Sequence, residues 1–125
     1  MALPNDTLAK LRDIVGGENV LSSKEDLIAY SFDGTAAMQS MPSCVVFALT
    51  TYHIAQILKL ANTNRTPIVT RGSGTGLSGG SLPCPNCIVL CTVKMNRILE
   101  LDRANLTLLT EPGATTLQIA DAATA

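Results

Sequence analysis

The chain has 125 residues, 9 Lys and Arg against 10 Asp and Glu, and a formal net charge of −1, with 46% hydrophobic and 15% charged residues. That balance excludes a disordered chain and gives no electrostatic case for nucleic acid or an anionic membrane surface, while the length suffices for one modest core. Trp is absent, and Phe and Tyr number two each, so the core must be aliphatic.

The N-terminus, "MALPNDTLAKLRD", shows no cationic stretch leading into an apolar run, and no segment reaches the roughly 20 apolar residues of a membrane span. The expectation is a soluble, cytoplasmic protein without a transmembrane segment, with peripheral membrane attachment through a partner left open. Asp6 is expected to cap a first helix whose Leu8, Leu11, Ile14 and Val15 fall at helical spacing, and Gly16 and Gly17 to stop it. Ser22 with Glu25 reads as a capping box for a short second helix carrying Leu27 and Ile28. "YSFDGT" breaks the pattern as a loop, with Asp33 beside Gly34 and Thr35 suited to a turn.

"CVVFAL", residues 44–49, is a continuous apolar run rich in β-branched residues and reads as a buried strand. Thr50 or Thr51 can cap the next helix, with Ile54, Ile57, Leu58 and Ala61 spaced i, i+3, i+4, i+7. His53 falls opposite Ile54 and Ile57 in that helix, so it is expected to face solvent. Pro67 ends the helical pattern and "PIVTR" forms a second strand, making a βαβ unit. "CIVLCTV", residues 87–93, is a third apolar strand. "RILELD" and "NLTLLTE" alternate around "DRAN" as an antiparallel hairpin, with Asp102 starting the turn. After "EPG", Thr115 and Gln118 open a final helix through a capping box. That helix runs into the last residues without a stop signal, and the expectation is a piece of a longer polypeptide.

Between the second and third strands lies "RGSGTGLSGGSLP", residues 71–83, with five glycines, three serines and a threonine. Three phosphate-binding templates compete for it. A Walker A loop fails because Gly80 stands where the lysine is needed. The dinucleotide fingerprint G-x-G-x-x-G matches at Gly74, Gly76 and Gly79, with Glu100 and Asp102 downstream. It requires a helix opening at the loop, and "GGSLPCPNC" with Pro83 and Pro85 argues against one. The third template is a loop that holds pyrophosphate with its own backbone. Glycines permit positive φ and close approach, successive N–H groups converge on an anion, and Ser73, Thr75 and Ser78 add hydroxyls. A glycine-rich connection with no ligand is the plain alternative.

With these residues in view, "PIVTRGSGTGLSGGSLP" resembles the FAD-pyrophosphate loop of FAD-linked oxidases of the vanillyl-alcohol oxidase or PCMH type, in the branch of glycolate oxidase subunit GlcD and D-lactate dehydrogenase. "YSFDGT" with "MPSCVVF", and the whole stretch "CIVLCTVKMNRILELDRANLTLLTEPGATTLQIADAA", are similar to the segments flanking that family's loop. The resemblance implies an α+β fold, a small mixed β-sheet with flanking helices. Residues 1–40 would form an N-terminal helical segment and 41–125 the first part of a PCMH-type FAD-binding domain. It implies FAD contacts from Arg71, Gly72, Ser73, Gly74, Thr75, Gly76, Leu77, Ser78, Gly79 and Gly80, and from the "EPG" turn at Pro112 and Gly113. Arg71 would anchor the loop from the end of its strand.

The implied reaction of the complete protein is FAD-dependent oxidation of a small 2-hydroxy acid, of glycolate or D-lactate type, to a 2-oxo acid, with an electron-transfer partner subunit allowed for. Residues that handle the flavin ring and the substrate would lie beyond Ala125, so no catalytic residue is assigned and the piece alone is expected to be inactive. Ala48 departs from the family, which often has proline there.

Two other classes stay open. One is a nucleotide-binding module without redox chemistry. The other is a small zinc-binding interaction domain using Cys84 and Cys87, with Cys91 and Cys44 completing four ligands. Against the second, Cys91 lies in an apolar strand, where cysteine is usually a small buried hydrophobe. Asp26, Asp33, Glu100 and Asp102 offer no evident catalytic pairing.

Overall fold

The computed structural model describes residues 3–35 and 37–125. The first helix, α1 (Asn5–Val15), buries Thr7, Leu11 and Val15, one turn apart on a single face. Its cap is Pro4 rather than Asp6: the Pro4 carbonyl accepts from the N–H of Thr7 at 2.9 Å, and no side chain caps the end. Proline's fixed φ suits it to a helix start, so the helix begins earlier than Asp6 suggested. Asp6 sits instead in the first turn, 2.7 Å from Lys10, where a carboxylate also favours the helix dipole. Gly16, at φ +90°, ends the helix as expected.

A 3₁₀ turn (Gly17–Asn19) leads into β1 (Val20–Leu21), a strand too short for any sequence pattern. Helix α2 (Lys24–Ile28) is capped by Ser23, whose Oγ accepts from the N–H of Asp26 at 3.2 Å. The expected Ser22–Glu25 box is thus displaced by one residue. Ser22 is engaged elsewhere, accepting from Arg12 at 3.2 Å, and the shifted helix turns Leu27 into the core while Ile28 stays exposed.

Strand β2 (Cys44–Phe47), helix α3 (Thr51–Thr63) and strand β3 (Ile68–Arg71) form the expected βαβ unit. Thr50 caps α3, accepting from the N–H of His53 at 3.1 Å. Strand β4 (Ile88–Cys91) then inserts between the other two, parallel to both, so the sheet order is β1-β2-β4-β3 with β1 antiparallel at the edge. Every residue of β2 and β4 is buried. Alternation along a pleated strand splits them between two cores. Cys44, Val46, Ile88 and Leu90 face Leu11 and Val15 of α1 and Ile57 and Ala61 of α3. Val45, Phe47, Val89 and Cys91 face Leu27 and Tyr30. Residues 3–31 are therefore built into the same two cores as the strands that follow.

Strands β5 (Ile98–Asp102) and β6 (Thr107–Thr110) make the predicted antiparallel hairpin. Asp102 accepts from the backbone N–H and the side-chain amide of Asn105, at 3.0 and 2.7 Å, and so closes the turn. The open end is tied by Arg97 and Glu111 at 2.8 Å. Helix α4 (Thr116–Thr124) starts at the expected Thr115–Gln118 capping box, with both reciprocal bonds present. The fold is α+β: a mixed sheet with helices packed on it, and a hairpin beside them. Among the described residues no helix is long and apolar enough to cross a membrane.

Candidate functional site

Three parallel strands end along one edge of the sheet, with Phe47, Cys91 and Arg71 in register there. The crevice beyond the carboxyl ends of parallel strands is where open sheets of this kind place ligands. The glycine loop leaves from this edge. Residues 72–80 follow Arg71 as turns and bends, and the next regular element is β4, a strand. No helix N-terminus is aimed at the loop from its own continuation.

The loop is tethered at its start and open further on. The N–H of Thr92 donates to the Arg71 carbonyl at 2.9 Å, prolonging the β3–β4 ladder, and the Cys91 thiol donates to the Gly72 carbonyl at 3.7 Å. Gly74 and Gly79 both adopt φ +74°, the region that favours glycine. Gly74 lies directly on the Arg71 guanidinium, so a Cβ there would overlap the side chain. At Gly72, Gly76, Gly79 and Gly80 an added Cβ would meet no atom within 4 Å. Leu77 projects outward, 79% exposed.

Arg71 is 7% exposed, and it is the one buried cation among the described residues. Its Nη1 donates to the Phe32 carbonyl at 2.6 Å, and its guanidinium carbon lies 5.3 Å from the centre of the Tyr30 ring. Nε is buried without a hydrogen-bond partner. Among the described residues no carboxylate pairs with it; the two ion pairs are Lys10–Asp6 and Arg97–Glu111. A buried, unpaired guanidinium is costly unless an anion compensates it. This one lies immediately beneath the loop.

The "EPG" turn, some forty residues later, is brought to the same place. The N–H of Gly113 donates to the Met95 carbonyl at 2.7 Å, and its Cα packs so closely on the Thr92 carbonyl that a Cβ would overlap it. Residues 92–95 follow β4 directly, so the turn is locked to the sheet edge. Pro112 then joins Ile54, Leu58, Thr70, Arg71, Gly72, Leu90 and Thr92 around a cavity of about 410 Å³. On the other side of Arg71 and Gly72 a cavity of about 250 Å³ is lined by Ala29, Tyr30, Ser73, Cys91 and Val93. The loop therefore divides two hollows at the strand ends.

The other sequence candidates lie apart from this site or inside the fold. His53 is half-buried rather than turned to solvent: its Nδ1 accepts from the N–H of Leu49 at 3.3 Å, where the chain enters α3. The sequence-based helical wheel missed this because the partner lies outside the helix. The four cysteines are free thiols. Cys44 faces one core, and Cys87 and Cys91 face the other. Burial pushes the thiol of Cys44 up to about 12 and that of Cys87 to about 11, which keeps them protonated. Among the described residues no cluster of three or more His, Cys, Asp or Glu is placed to hold a metal. Sequence reasoning assigned no site role to Tyr30 or Phe32, because their contact with Arg71 spans about forty positions of chain. The unusual "YSFDGT" break was the available signal.

The profile of the FAD binding domain family matches residues 42–125. Glycolate oxidase subunit GlcD of Bacillus subtilis is 40% identical over 117 residues, which cover 94% of this chain and 25% of that protein. D-lactate dehydrogenase of Archaeoglobus fulgidus is 38% identical over 99 residues, covering 76% of this chain and 22% of the relative. Among solved structures, p-cresol methylhydroxylase with substrate bound superposes with a TM-score of 0.83 at 29% identity, over 94% of this chain and 24% of that one. The chain spans about a quarter of the length of the curated relatives it matches.

Proposed function

We propose, since the chain belongs to the FAD binding domain family, that it forms the pyrophosphate-holding part of a flavin-dependent oxidoreductase acting on a small 2-hydroxy acid. FAD is the cofactor indicated by that membership. The reaction class follows that of similar proteins, glycolate oxidase and D-lactate dehydrogenase. Residues 41–125 would make the first part of the FAD-binding domain. An electron-transfer partner subunit belongs to the same reading.

The residues present fit the cofactor. The observation that carries the reading is the unpaired Arg71 guanidinium buried under a loop whose glycines leave the backbone uncovered. Backbone N–H groups of residues 72–80 would receive the diphosphate oxygens, with Ser73, Thr75 and Ser78 supplying hydroxyls. Arg71 would balance the negative charge from below without leaving its Phe32 and Tyr30 contacts. Pro112 would stand across the cavity from Gly72, with Gly113 holding the turn in place on Thr92 and Met95. FAD, held by these residues, would supply the two-electron redox chemistry of such a reaction. This chain's part is to bind and orient.

Gly76→Val tests the reading. Gly76 lies outside the left-handed region and its Cβ position is open, so the apo fold should tolerate a side chain there. The branched side chain would stand where phosphate must approach. In the complete flavoprotein, flavin absorbance per polypeptide should fall to near zero while the melting transition is kept. Full flavin occupancy in a folded Gly76→Val protein would overturn the assignment.

A further inference from the structure

Residues 30–35 form no regular element, yet they meet the glycine loop at two points. At the first, the Phe32 carbonyl and the Tyr30 ring hold the Arg71 guanidinium. At the second, Gly34 faces the loop backbone so closely that an added Cβ would lie 2.7 Å from the Gly76 carbonyl oxygen and 2.9 Å from that of Thr75. Gly34 is not at positive φ, so proximity alone demands glycine there. Between Phe32 and Gly34 stands Asp33, only 6% exposed. Its Oδ1 accepts from the N–H of Thr35 at 2.8 Å. That bond is the main reason its carboxyl is held below the usual range, and the N–H of Ser81, just past the glycines, adds to the lowering. Oδ2 makes no close hydrogen bond of its own.

Among the described residues, Asp33 Oδ2, Thr35 Oγ1 and Arg71 Nε are buried without a close hydrogen bond, although the Thr35 hydroxyl also helps to lower the Asp33 carboxyl. All belong to this one junction. Buried polar atoms are normally satisfied, yet loosely satisfied groups gather at this junction. A carboxylate beside a diphosphate site is a poor direct ligand, because like charges repel. It serves if its bond to Thr35 fixes the turn that carries Gly34 against the Thr75 and Gly76 carbonyls, so that the loop's N–H groups face the anion.

We propose that Asp33 and Gly34 are positioning residues for the cofactor loop, fixing in the flavin-free protein the backbone geometry that the diphosphate requires. The physical reason is conformational entropy. A loop with five glycines in residues 71–83 loses more freedom on ordering than ordinary sequence does. If the ordering is completed on folding, the ligand does not bear it, and affinity rises. The proposal rests on the FAD reading above, and its test separates the two.

The complete flavoprotein is stripped of flavin and titrated with FAD as wild type, Asp33→Asn and Gly34→Ala. Asp33→Asn keeps the shape and one acceptor for Thr35 but loses the charge-assisted bond. Each variant should bind FAD about tenfold or more weakly. Each should keep a cooperative melting transition without flavin, and residues 72–80 should become cleavable at lower protease concentration. Should Gly34→Ala fail to fold, the isosteric Asp33→Asn decides. Unchanged FAD affinity in a folded Asp33→Asn protein, or a loop no more cleavable than wild type, overturns the positioning role. Absence of FAD binding by the wild type would overturn the FAD reading itself.

Discussion

The parallel sheet and the β5–β6 hairpin have similarly apolar strands and reach opposite environments. Every residue of β2 and β4 is buried, whereas no residue of β5, β6 or α4 is. Leu109 is 57% exposed, while Ile88 is fully buried. The difference comes from layers. The sheet has α1 and α3 on one face and α2 with residues 29–35 near the other, so both sides of each strand are covered. Among the described residues α4 packs beside the hairpin, and the hairpin's leucines line an open hollow with Ile119 and Ala123. Apolar alternation creates a strand with a face to bury; covering that face takes a second element.

This contrast can be tested with substitutions, and the largest effect should fall in the sheet. Ile88 is in register with both Cys44 and Ile68 and packs in the core of α1 and α3. Ile88→Ala should cost about 2–5 kcal/mol in urea unfolding, from lost transfer energy and a cavity that tight neighbours cannot close. A loss below about 1 kcal/mol would mean that the sheet is less tightly packed than its burial indicates. Next comes the start of α4, where Thr115 is half of a reciprocal cap. Thr115→Ala should cost about 1 kcal/mol, read most directly as faster amide exchange at residues 116–119. The smallest change is expected on the hairpin surface. Leu109→Ser should alter stability by no more than about 0.5 kcal/mol. A loss comparable to that of Ile88→Ala would show that the hairpin face is covered in solution and would break the comparison.

The same contrast runs through the glycine loop. Gly74 is demanded by the fold, since it combines positive φ with direct contact on Arg71. Gly76 is demanded by nothing in the apo structure, since its Cβ position is open and its φ ordinary. Two glycines in one run thus have different causes, and a spacing motif treats them alike. Gly113, at ordinary φ, is a third kind, fixed by close approach to the Thr92 carbonyl.

What could be read from the residues in order was whatever depends on near neighbours. The Thr115–Gln118 box, the Asp102 turn, the stop at Gly16, the apolar runs of β2 and β4 and the helix-free course of residues 72–80 are set by groups within a few positions of one another. Even there, Ser23 displaced Ser22 and Pro4 displaced Asp6, because neighbouring candidates differ by less than the contacts that choose between them. Tertiary structure alone decided that β4 enters between β2 and β3, that Pro112 shares a cavity with Arg71 and Gly72 while Gly113 packs on Thr92, that His53 bonds back to Leu49, and that Tyr30 and Phe32 hold Arg71. Those outcomes join segments tens of residues apart, and they follow from which apolar faces can cover each other, a condition that no local window of sequence contains.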